Sequence, residues 1–379
     1  MPFDLDGLLR LAIERRASDL HLKVGAPPVL RIDHQLVPMQ DRPYLTQTDL
    51  EMTVGLVTTE LQRQQFMQRR ELDLSYGVAG LGRFRTNLFQ QRGVVGAIFR
   101  IIPLKVETIE ELNLPSIIEK LAMEPRGMVL VTGTAGSGKS TTLAAMIGYI
   151  NSHRTGHIVT IDDPIEFLHQ DNRCLINQRE VGIDTESFAG AVRSALRQDP
   201  DVILVGEMRD FDTISTAIVA AETGHLVLST LHTVDAAETI NRIIAVFPPY
   251  QQKQIRLQLA SLLRGVISMR LIPRADGTGR VPAVEVMVAT ATIRECIADT
   301  DKTRKIPEVI AAGTSEYGMQ TFDQSLMSLY RRGLVSYEEA LRWSSNPNDF
   351  ALKVRGIESA ADQPWVLERK GQPRERKFH

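Results

Sequence analysis

Cysteine is scarce in this chain. Cys174 and Cys296 are the two cysteines among 379 residues, and neither belongs to a C-x-x-C pair. A disulfide framework or a four-cysteine zinc site needs more cysteines or closer pairs, so the sequence argues against both. The scarcity fits a protein of a reducing compartment.

Long apolar runs are missing as well. No stretch reaches the about 18 consecutive apolar residues that suggest a transmembrane helix. Residues 1–16, MPFDLDGLLRLAIERR, carry charges on either side of a short apolar face and lack the apolar run of a signal peptide. We therefore expect a soluble, cytoplasmic protein with no direct insertion into a membrane.

The chain has no large excess of charge of one sign. Its 44 Lys and Arg against 46 Asp and Glu give a net charge of -2, which does not support strong binding to nucleic acid or to an anionic membrane. No basic stripe with interleaved aromatic residues is evident either. We expect no nucleic-acid partner, and a RecA-like recombinase or helicase is disfavoured.

Residues 1–100 predict a small α+β domain. A helical apolar face is followed by SDLHLKV, which alternates as a strand does, and by PPVLRIDHQLVPM, a hairpin with its turn near Asp33 and His34. RFRTNLFQQRGVVGAIFRII predicts two strands joined through Gln90 to Gly93. Residues 101–113, which include the Pro-led polar passage PLKVETIEEL, are the predicted interdomain linker.

The pattern changes at residue 114, where strands begin to alternate with helices. The predicted strands GMVLVTG, HIVTIDDP, DVILVGE and HLVLSTLHT imply a mainly parallel sheet covered on both faces, hence an α/β fold. This second domain covers residues 114–350 and ends in a helical region. There QIRLQLASLLRGVISMRL predicts one helix whose apolar stripe packs into the core: Ile255, Leu259, Leu262, Leu263, Val266 and Ile267. Residues 351–379 are predicted to be a largely disordered tail.

The segment GTAGSGKS, Gly133 to Ser140, fits the P-loop pattern G-x-x-x-x-G-K-[ST] and lies between a predicted strand and a predicted helix. Such a loop turns backbone N–H groups toward the phosphates of ATP, while Lys139 reaches the β- and γ-phosphates. Ser140 is the expected Mg²⁺ ligand, and Thr141 is placed to touch the α-phosphate. The predicted nucleotide-binding set from this segment is Gly133, Thr134, Ala135, Gly136, Ser137, Gly138, Lys139, Ser140 and Thr141.

Acidic residues follow two of the predicted strands. Asp162 and Asp163 end the strand in TIDDPIEF, and Glu207 follows VILVG; carboxyl ends of parallel strands line the ligand crevice. Glu207 is the candidate for polarising the attacking water or supporting Mg²⁺, and Asp162 is the second catalytic candidate. Asp163 is a candidate metal ligand, with a turn or helix-capping role as its alternative. Glu166 fits a site, surface or interface position equally well.

Basic residues complete the candidate site. His232 lies at the crevice end of the strand in TGHLVLSTLHT and is placed to sense the γ-phosphate, whereas His225, at the other end, is either structural or functional. Arg85 and Arg100 lie on consecutive strands of the N-terminal domain. Spacing alone favours solvated surface arginines, yet phosphoryl transfer commonly recruits an arginine from another domain or subunit.

Five segments together resemble the secretion ATPase superfamily, most closely the type IV pilus retraction ATPases of the PilT/PilU family. They are GTAGSGKSTTLAAMI, TIDDPIEF, NQREVGIDTESF, LRQDPDVILVGEMRD and AETGHLVLSTLHT. The resemblance implies a homohexameric ring with a PAS-like N-terminal domain and a RecA-like ATPase domain that hold ATP between them. It also implies that Arg85 and Arg100 face the nucleotide, that Glu207 is the catalytic glutamate and that Asp162 is the acid of the family's Asp box.

The family's role implies a motor that hydrolyses ATP to drive pilus retraction and twitching motility. Its partners would be an inner-membrane pilus platform protein and, as a further candidate, a paralogous retraction ATPase, at the cytoplasmic face of the inner membrane. The chain departs from the family at Asp162, one methylene shorter than the usual glutamate, and at TIRECIAD. Two alternatives stay open: a secretion or DNA-uptake traffic ATPase, and a weakly hydrolysing, PilU-like accessory ring. Extension ATPases, with a longer N-terminal region and often a tetracysteine zinc site, are not resembled.

Overall fold

The structure is a computed structural model that describes residues 3–32, 35–102 and 106–356. Three parts of the sequence-based interpretation fall partly or wholly outside these ranges. They are the hairpin turn at residues 33 and 34, linker residues 103–105, and tail residues 357–379.

The N-terminal part of the described chain is an antiparallel sheet covered by helices on one face. Its elements are α1 (Leu5–Glu14), β1 (Asp19–Lys23), β2 (Val29–Ile32), β3 (Gln35–Pro38), α2 (Gln47–Val57), α3 (Glu60–Arg69), β4 (Glu71–Val78), β5 (Gly82–Gln91) and β6 (Val94–Ile101). The strands lie in the order β3-β2-β1-β6-β5-β4. The two strands predicted over residues 83–102 are confirmed, but the turn between them is shorter, at Arg92 and Gly93.

The two faces of this sheet differ in chemistry. Along β5, Phe84, Thr86 and Leu88 are fully buried, and the two apolar side chains pack in the core with α1, α2 and α3. Because successive strand side chains point to opposite faces, Arg83 and Arg85 lie on the other face. That face is turned toward a second sheet, described below. There Arg83 forms an ion pair with Glu180, and Arg85 lines a cleft.

The second sheet follows residue 114. Its elements are α4 (Ile117–Ala122), β7 (Gly127–Thr132), α5 (Lys139–His153), β8 (Gly156–Asp162), β9 (Cys174–Glu180), α6 (Phe188–Ala195), β10 (Val202–Val205), α7 (Phe211–Glu222), β11 (Leu226–Leu231), α8 (Ala236–Ala245), α9 (Pro249–Leu262), β12 (Leu263–Pro273) and β13 (Arg280–Val288). Within the described residues the strand order is β13-β12-β7-β11-β10-β8-β9. Neighbouring strands are parallel except β12 and β13, which are antiparallel.

Helices cover both faces of this sheet. Met128 and Leu130 of β7 pack with α6, α7, α8 and α9, while Val129 and Val131 pack on the opposite side with α5. Both alternating sets are therefore buried, which explains why the strands read as continuous apolar runs. The predicted α/β class, with a sheet-rich N-terminal part and a P-loop domain, is confirmed.

The last described segment is helical. Its elements are α10 (Ala291–Ala298), a 3₁₀ segment (Thr300–Lys305), α11 (Ile306–Ala312), α12 (Thr314–Tyr317), α13 (Phe322–Arg331), α14 (Tyr337–Trp343) and α15 (Pro347–Val354). Phe322 and Leu326 of α13 and Phe350 of α15 pack on Ile272 of β12. Residues 351–354 are thus helical, although the tail was predicted to begin at residue 351. No helix in the described ranges is long and apolar enough to cross a membrane.

The prediction of one helix through QIRLQLASLLRGVISMRL is wrong. The helix α9 ends at Leu262, and β12 begins at Leu263 and pairs with β7. Val266 and Ile267 point into opposite core clusters, as alternating strand residues do. A short apolar run fits a buried helix and a buried strand equally well. Here the segment forms a strand because it takes up the backbone hydrogen bonds offered by the free edge of β7.

A buried polar chain links β7 to the start of α8. The Thr132 hydroxyl donates to Ser268 Oγ at 3.1 Å, and Ser268 Oγ donates to Glu285 Oε1 at 3.4 Å. The same oxygen accepts the Ala236 backbone N–H at 2.9 Å. Glu285 is 6% exposed. Burial raises the pKa of its carboxyl from 4.5 to about 7, although the hydrogen bond from Ala236 favours the charged form.

We expect Glu285→Gln to remove a pH-dependent loss of stability. As pH rises from 4.5 to 7 the carboxyl of the unfolded chain ionises first, so the free energy of unfolding of the wild type falls. The neutral amide keeps the hydrogen-bond acceptor, so the variant gains roughly 1–3 kcal/mol on the wild type between pH 5 and pH 8. Urea unfolding at fixed protein concentration measures this gain, with Glu308→Gln as the exposed control. Parallel pH curves for the wild type and Glu285→Gln would contradict the burial argument.

Candidate functional site

A cleft of about 510 Å³ lies at the carboxyl ends of β7, β8, β10 and β11. Parallel strands all present their carboxyl ends at one edge, so loops distant in sequence meet there. Lys139 follows β7, Asp162 ends β8, Glu207 follows β10 and His232 follows β11, and all four line the cleft. Arg85 of the N-terminal sheet lines it from the other side.

The P-loop backbone requires glycine at two of its positions. Gly133 has a φ of 142°, and a Cβ there would lie 2.5 Å from Ser137 Oγ and 2.6 Å from the Met269 carbonyl oxygen. Gly138 has a φ of 98° and caps the N-terminus of α5. A side chain at either position would be strained. Because both positions are glycine, the loop is able to adopt this backbone and to lead directly into α5 at Lys139.

Lys139 is buried against its own loop. Its Nζ donates to the carbonyl oxygens of Gly133 at 2.9 Å and Thr134 at 3.0 Å. Burial lowers the pKa of the amino group, while the nearby carboxylates of Glu207 and Glu166 act to raise it. The loop therefore holds a cation at the N-terminus of a helix, which is where proteins bind phosphate.

Glu207 is held by two basic side chains. His232 Nε2 lies 3.0 Å from Glu207 Oε1, and the Arg209 guanidinium donates to the same oxygen. The neighbouring strand β11 holds the turn that presents Glu207, since Thr230 Oγ1 donates to the Gly206 carbonyl oxygen at 2.7 Å. The Glu207 side chain is 18% exposed. It is thus a nearly buried, oriented carboxylate with an edge open to the cleft.

Asp162 is a second half-buried acid of the cleft. Burial raises the pKa of its carboxyl from 3.8 to about 7, the Thr160 hydroxyl opposes that shift, and Glu166 and Glu180 add to it. Thr160 Oγ1 donates to Asp162 Oδ2 at 2.8 Å. A carboxyl with this pKa exchanges protons near neutral pH, which suits a residue that takes up or releases a proton.

The oxygen donors at the cleft fit Mg²⁺. Ser140 and the exposed Asp163 offer a hydroxyl and a carboxylate, and Glu207 offers a second carboxylate. In the described part of the chain, no group of three or more His, Cys, Asp and Glu side chains is able to hold a metal. A hydroxyl and one or two carboxylates are nevertheless the donors typical of a Mg²⁺ site, because the phosphates of the substrate supply the remaining ligands. The metal roles of these residues stay predictions.

The two predicted arginines separate in the structure. Arg85 lines the cleft, whereas Arg100, directly opposite on β6, is not among the residues lining it. Arg100 Nε instead donates to Asp19 Oδ1 at 3.0 Å, one strand farther from the cleft. The nucleotide role of Arg100 stays a prediction, and no contact among the described residues supports it.

The other predicted residues fall into two groups. Ala135 and Gly136 line the cleft with Lys139 and Ser140. Five residues of the predicted nucleotide-binding set are not among the lining residues: Gly133, Thr134, Ser137, Gly138 and Thr141. His225 Nδ1 lies 2.9 Å from the Ala220 carbonyl oxygen at the far end of β11, which favours its structural alternative.

Three cleft residues were missed or left undecided from the sequence. Arg209 follows Glu207 by two positions, and a cation beside a candidate catalytic acid was the available signal. His169 lines the cleft, and burial lowers the pKa of its imidazole to about 4, so the ring is neutral at physiological pH. Glu166, left undecided above, also lies at the cleft.

The P-loop, the acids at the strand ends and the arginine from the N-terminal sheet together define a P-loop ATPase. Comparisons with known proteins agree. Residues 105–342 match the family described as Type II/IV secretion system protein. The chain is 47% identical to the type IV pilus retraction ATPase PilT of Pseudomonas aeruginosa, over 92% of this chain and 100% of PilT. It is 41% identical to the type IV pilus ATPase PilU of the same organism, over 95% of this chain and 94% of PilU.

Solved structures give the same result. A crystal structure of the pilus retraction motor PilT with bound ADP matches with a TM-score of 0.83 and 45% identity, over 91% of this chain and 98% of that one. The ATPase DotB of Legionella pneumophila matches with a TM-score of 0.76 and 26% identity, over 93% and 96%. The chain therefore belongs to the Type II/IV secretion system ATPases and, within them, to the retraction ATPases of the PilT/PilU type.

We expect Lys139→Ala to abolish ATP hydrolysis, because the phosphates lose the cation of the P-loop. The fall should be on the order of 10²-fold or more in kcat/KM for a residue that contacts the transferring phosphoryl group. Phosphate release measures the loss, and a fluorescent ATP analogue measures binding. Lys120→Ala, an exposed lysine on α4, is the matched control. Turnover like that of the wild type in Lys139→Ala would refute the assignment of the loop.

We expect Glu207→Gln to separate nucleotide binding from hydrolysis. The amide keeps the size of the side chain but cannot accept a proton, so kcat should fall roughly 10²–10⁴-fold. Affinity for the fluorescent ATP analogue should change by less than tenfold, because the P-loop is intact. Glu222→Gln, at the exposed end of α7, is the control. Unchanged kcat would move the catalytic role away from Glu207.

Proposed function

We propose that this protein is a homohexameric, Mg²⁺-dependent ATPase motor that powers type IV pilus retraction. The observation that carries the proposal is the meeting of Lys139, Glu207 and Arg85 at one cleft, because they come from two different sheets. A nucleotide bound there contacts both sheets at once, so its hydrolysis changes how the sheets are held together.

The residues of the cleft divide the work of phosphoryl transfer. Lys139 and the backbone of the P-loop hold the phosphates, and Glu207 orients and polarises the attacking water. His232 and Arg209 fix Glu207 in place through one of its carboxylate oxygens. Arg85 neutralises charge that develops in the transition state. Mg²⁺ held by Ser140, Asp163 or Glu207 would supply further charge neutralisation at the phosphates.

The link to mechanical work follows from the origin of Arg85. Its attraction to the phosphates draws the N-terminal sheet toward the parallel sheet, and loss of the γ-phosphate weakens that attraction. Differential contact with two nucleotide states is the requirement for a nucleotide to shift a conformational equilibrium. Around a ring of six copies, successive opening and closing of such clefts would turn a partner.

The expected partner is the inner-membrane pilus platform protein, with the ring at the cytoplasmic face of that membrane. A paralogous retraction ATPase is a second expected partner. Two observations support the second expectation: PilT and PilU both occur in Pseudomonas aeruginosa, and this chain is similar to both over most of its length.

Two alternatives have specific support. The match of residues 105–342 to the family described as Type II/IV secretion system protein favours a traffic ATPase of a secretion or DNA-uptake system. The shorter acid at Asp162 and the 41% identity to PilU favour a weakly hydrolysing accessory ring that assists a second motor. Phosphate release from Mg²⁺-ATP by the purified protein addresses the second alternative, since an accessory ring would release almost none.

Deletion of the gene should leave cells with surface pili in excess and without twitching motility, because pili would extend and fail to retract. The wild-type gene should restore both phenotypes, and a Lys139→Ala copy should restore neither. Electron microscopy of surface pili and a twitching assay on agar measure the two phenotypes. Normal piliation together with a loss of secretion or DNA uptake would instead support the traffic ATPase.

A further inference from the structure

A single carboxylate oxygen joins the two sheets beside the cleft. Glu180, the last residue of β9, accepts three hydrogen bonds at Oε2. The donors are Arg83 Nη2 at 2.8 Å, Ser75 Oγ at 3.1 Å and the Ile165 backbone N–H at 3.3 Å. Arg83 Nε also donates to Ser75 Oγ at 3.1 Å, so the three side chains form one network.

The donors come from two parts of the fold. Ser75 lies on β4 and Arg83 on β5 of the N-terminal sheet, whereas Ile165 belongs to the loop after β8. That loop carries Asp163 and Glu166 to the cleft. Glu180 is also the register partner of Asp162. One side chain therefore ties the N-terminal sheet to the acidic loop of the site.

Because Glu180 is buried, its carboxylate depends on these partners for charge compensation and hydrogen bonds. The Glu180 side chain is 4% exposed and that of Arg83 is 26% exposed. A carboxylate removed from water needs a cation and hydrogen bonds, and removal of one partner of a buried pair is strongly destabilising. The contact with Arg83 therefore favours one placement of the N-terminal sheet over others.

Arg83 connects this contact to the catalytic cleft. Residues two apart on a strand share a face, so Arg83 and Arg85 point the same way from β5. Ser75 is the register partner of Arg85 on β4, so it shares that face as well. When Glu180 holds Ser75 and Arg83, it sets the position from which Arg85 reaches the cleft.

We propose that Glu180 is a positioning residue for ATP hydrolysis: its contact with Ser75, Arg83 and the Ile165 amide fixes Arg85 and the acidic loop in the hydrolytic geometry. Glu180 and Arg83 are not among the residues that line the cleft, and they act through Arg85 and the loop. Opening of the cleft between the sheets must break this contact. The inference rests on the proposed function, because it assigns Arg85 a part in the reaction.

The test compares Arg83→Ala, Arg83→Lys and Glu180→Gln with the wild type. Misplacement of a catalytic group by about 1 Å lowers rates by up to about 10²-fold, so kcat should fall roughly 10- to 100-fold in Arg83→Ala and Glu180→Gln. Affinity for a fluorescent ATP analogue should change less than about threefold, because the P-loop is untouched. The double variant Arg83→Ala/Glu180→Gln should be no slower than the slower single variant, because both changes remove the same contact. Arg83→Lys keeps the charge but not the two-nitrogen geometry and should restore part of kcat.

Hydrogen exchange supplies a readout independent of activity. Arg83→Ala should speed exchange in residues 72–86 and 162–166 and leave β10 and β11 unchanged. Arg63→Ala, which breaks an exposed ion pair with Glu60 on α3, is the matched control and should change neither kcat nor exchange in these segments.

The outcomes separate this inference from the proposed function. Absence of ATPase activity in the wild type would overturn the proposed function itself. An active wild type with Arg83→Ala at full kcat would overturn the inference, whether or not Glu180→Gln folds. A joint loss of kcat and nucleotide affinity, with faster exchange throughout the parallel sheet, would also overturn it, because Glu180 would then stabilise the fold only.

Discussion

The parallel hydrogen bonding of β8, β10, β11 and β7 is the constraint on which the site depends. It gives four strands one direction, so residues more than 90 positions apart in sequence, from Lys139 to His232, end at the same edge. The chemistry of each residue is ordinary; their convergence is a property of the sheet. The apolar side chains on both faces hold that sheet together and leave the edge as the place where polar groups collect.

The edge gathers more acid than a folded protein readily accommodates. Burial raises the pKa of Asp162, and the nearby carboxylates of Glu166 and Glu180 add to that shift. Part of the compensating positive charge comes from the other sheet. Arg209 comes from the same edge, but Arg83 and Arg85 come from the N-terminal sheet. The two sheets are thus complementary in charge where they meet, which gives the N-terminal sheet its reason to pack there.

Local features of the site were predictable from the sequence and tertiary ones were not. The P-loop was predictable because its spacing and flanking strand and helix are contiguous, and Asp162 and Glu207 because each lies at the carboxyl end of an apolar strand. The separation of Arg85 from Arg100 was not, since it depends on the sheet register that places Asp19 beside Arg100. The sequence predicts a helix where β12 lies, because the neighbour that makes this apolar run a strand, β7, lies over 130 residues earlier. Glu180 was missed with its strand β9.

The interior position of β7 in its sheet limits where motion can arise. This strand is hydrogen-bonded on one side to β11 and on the other to β12, so the P-loop is clamped within a continuous slab. Such a slab cannot shear between its phosphate-holding loop and its acids without breaking backbone ladders. We therefore expect a displacement produced by a nucleotide to occur between the parallel sheet and the N-terminal sheet, and not within the parallel sheet.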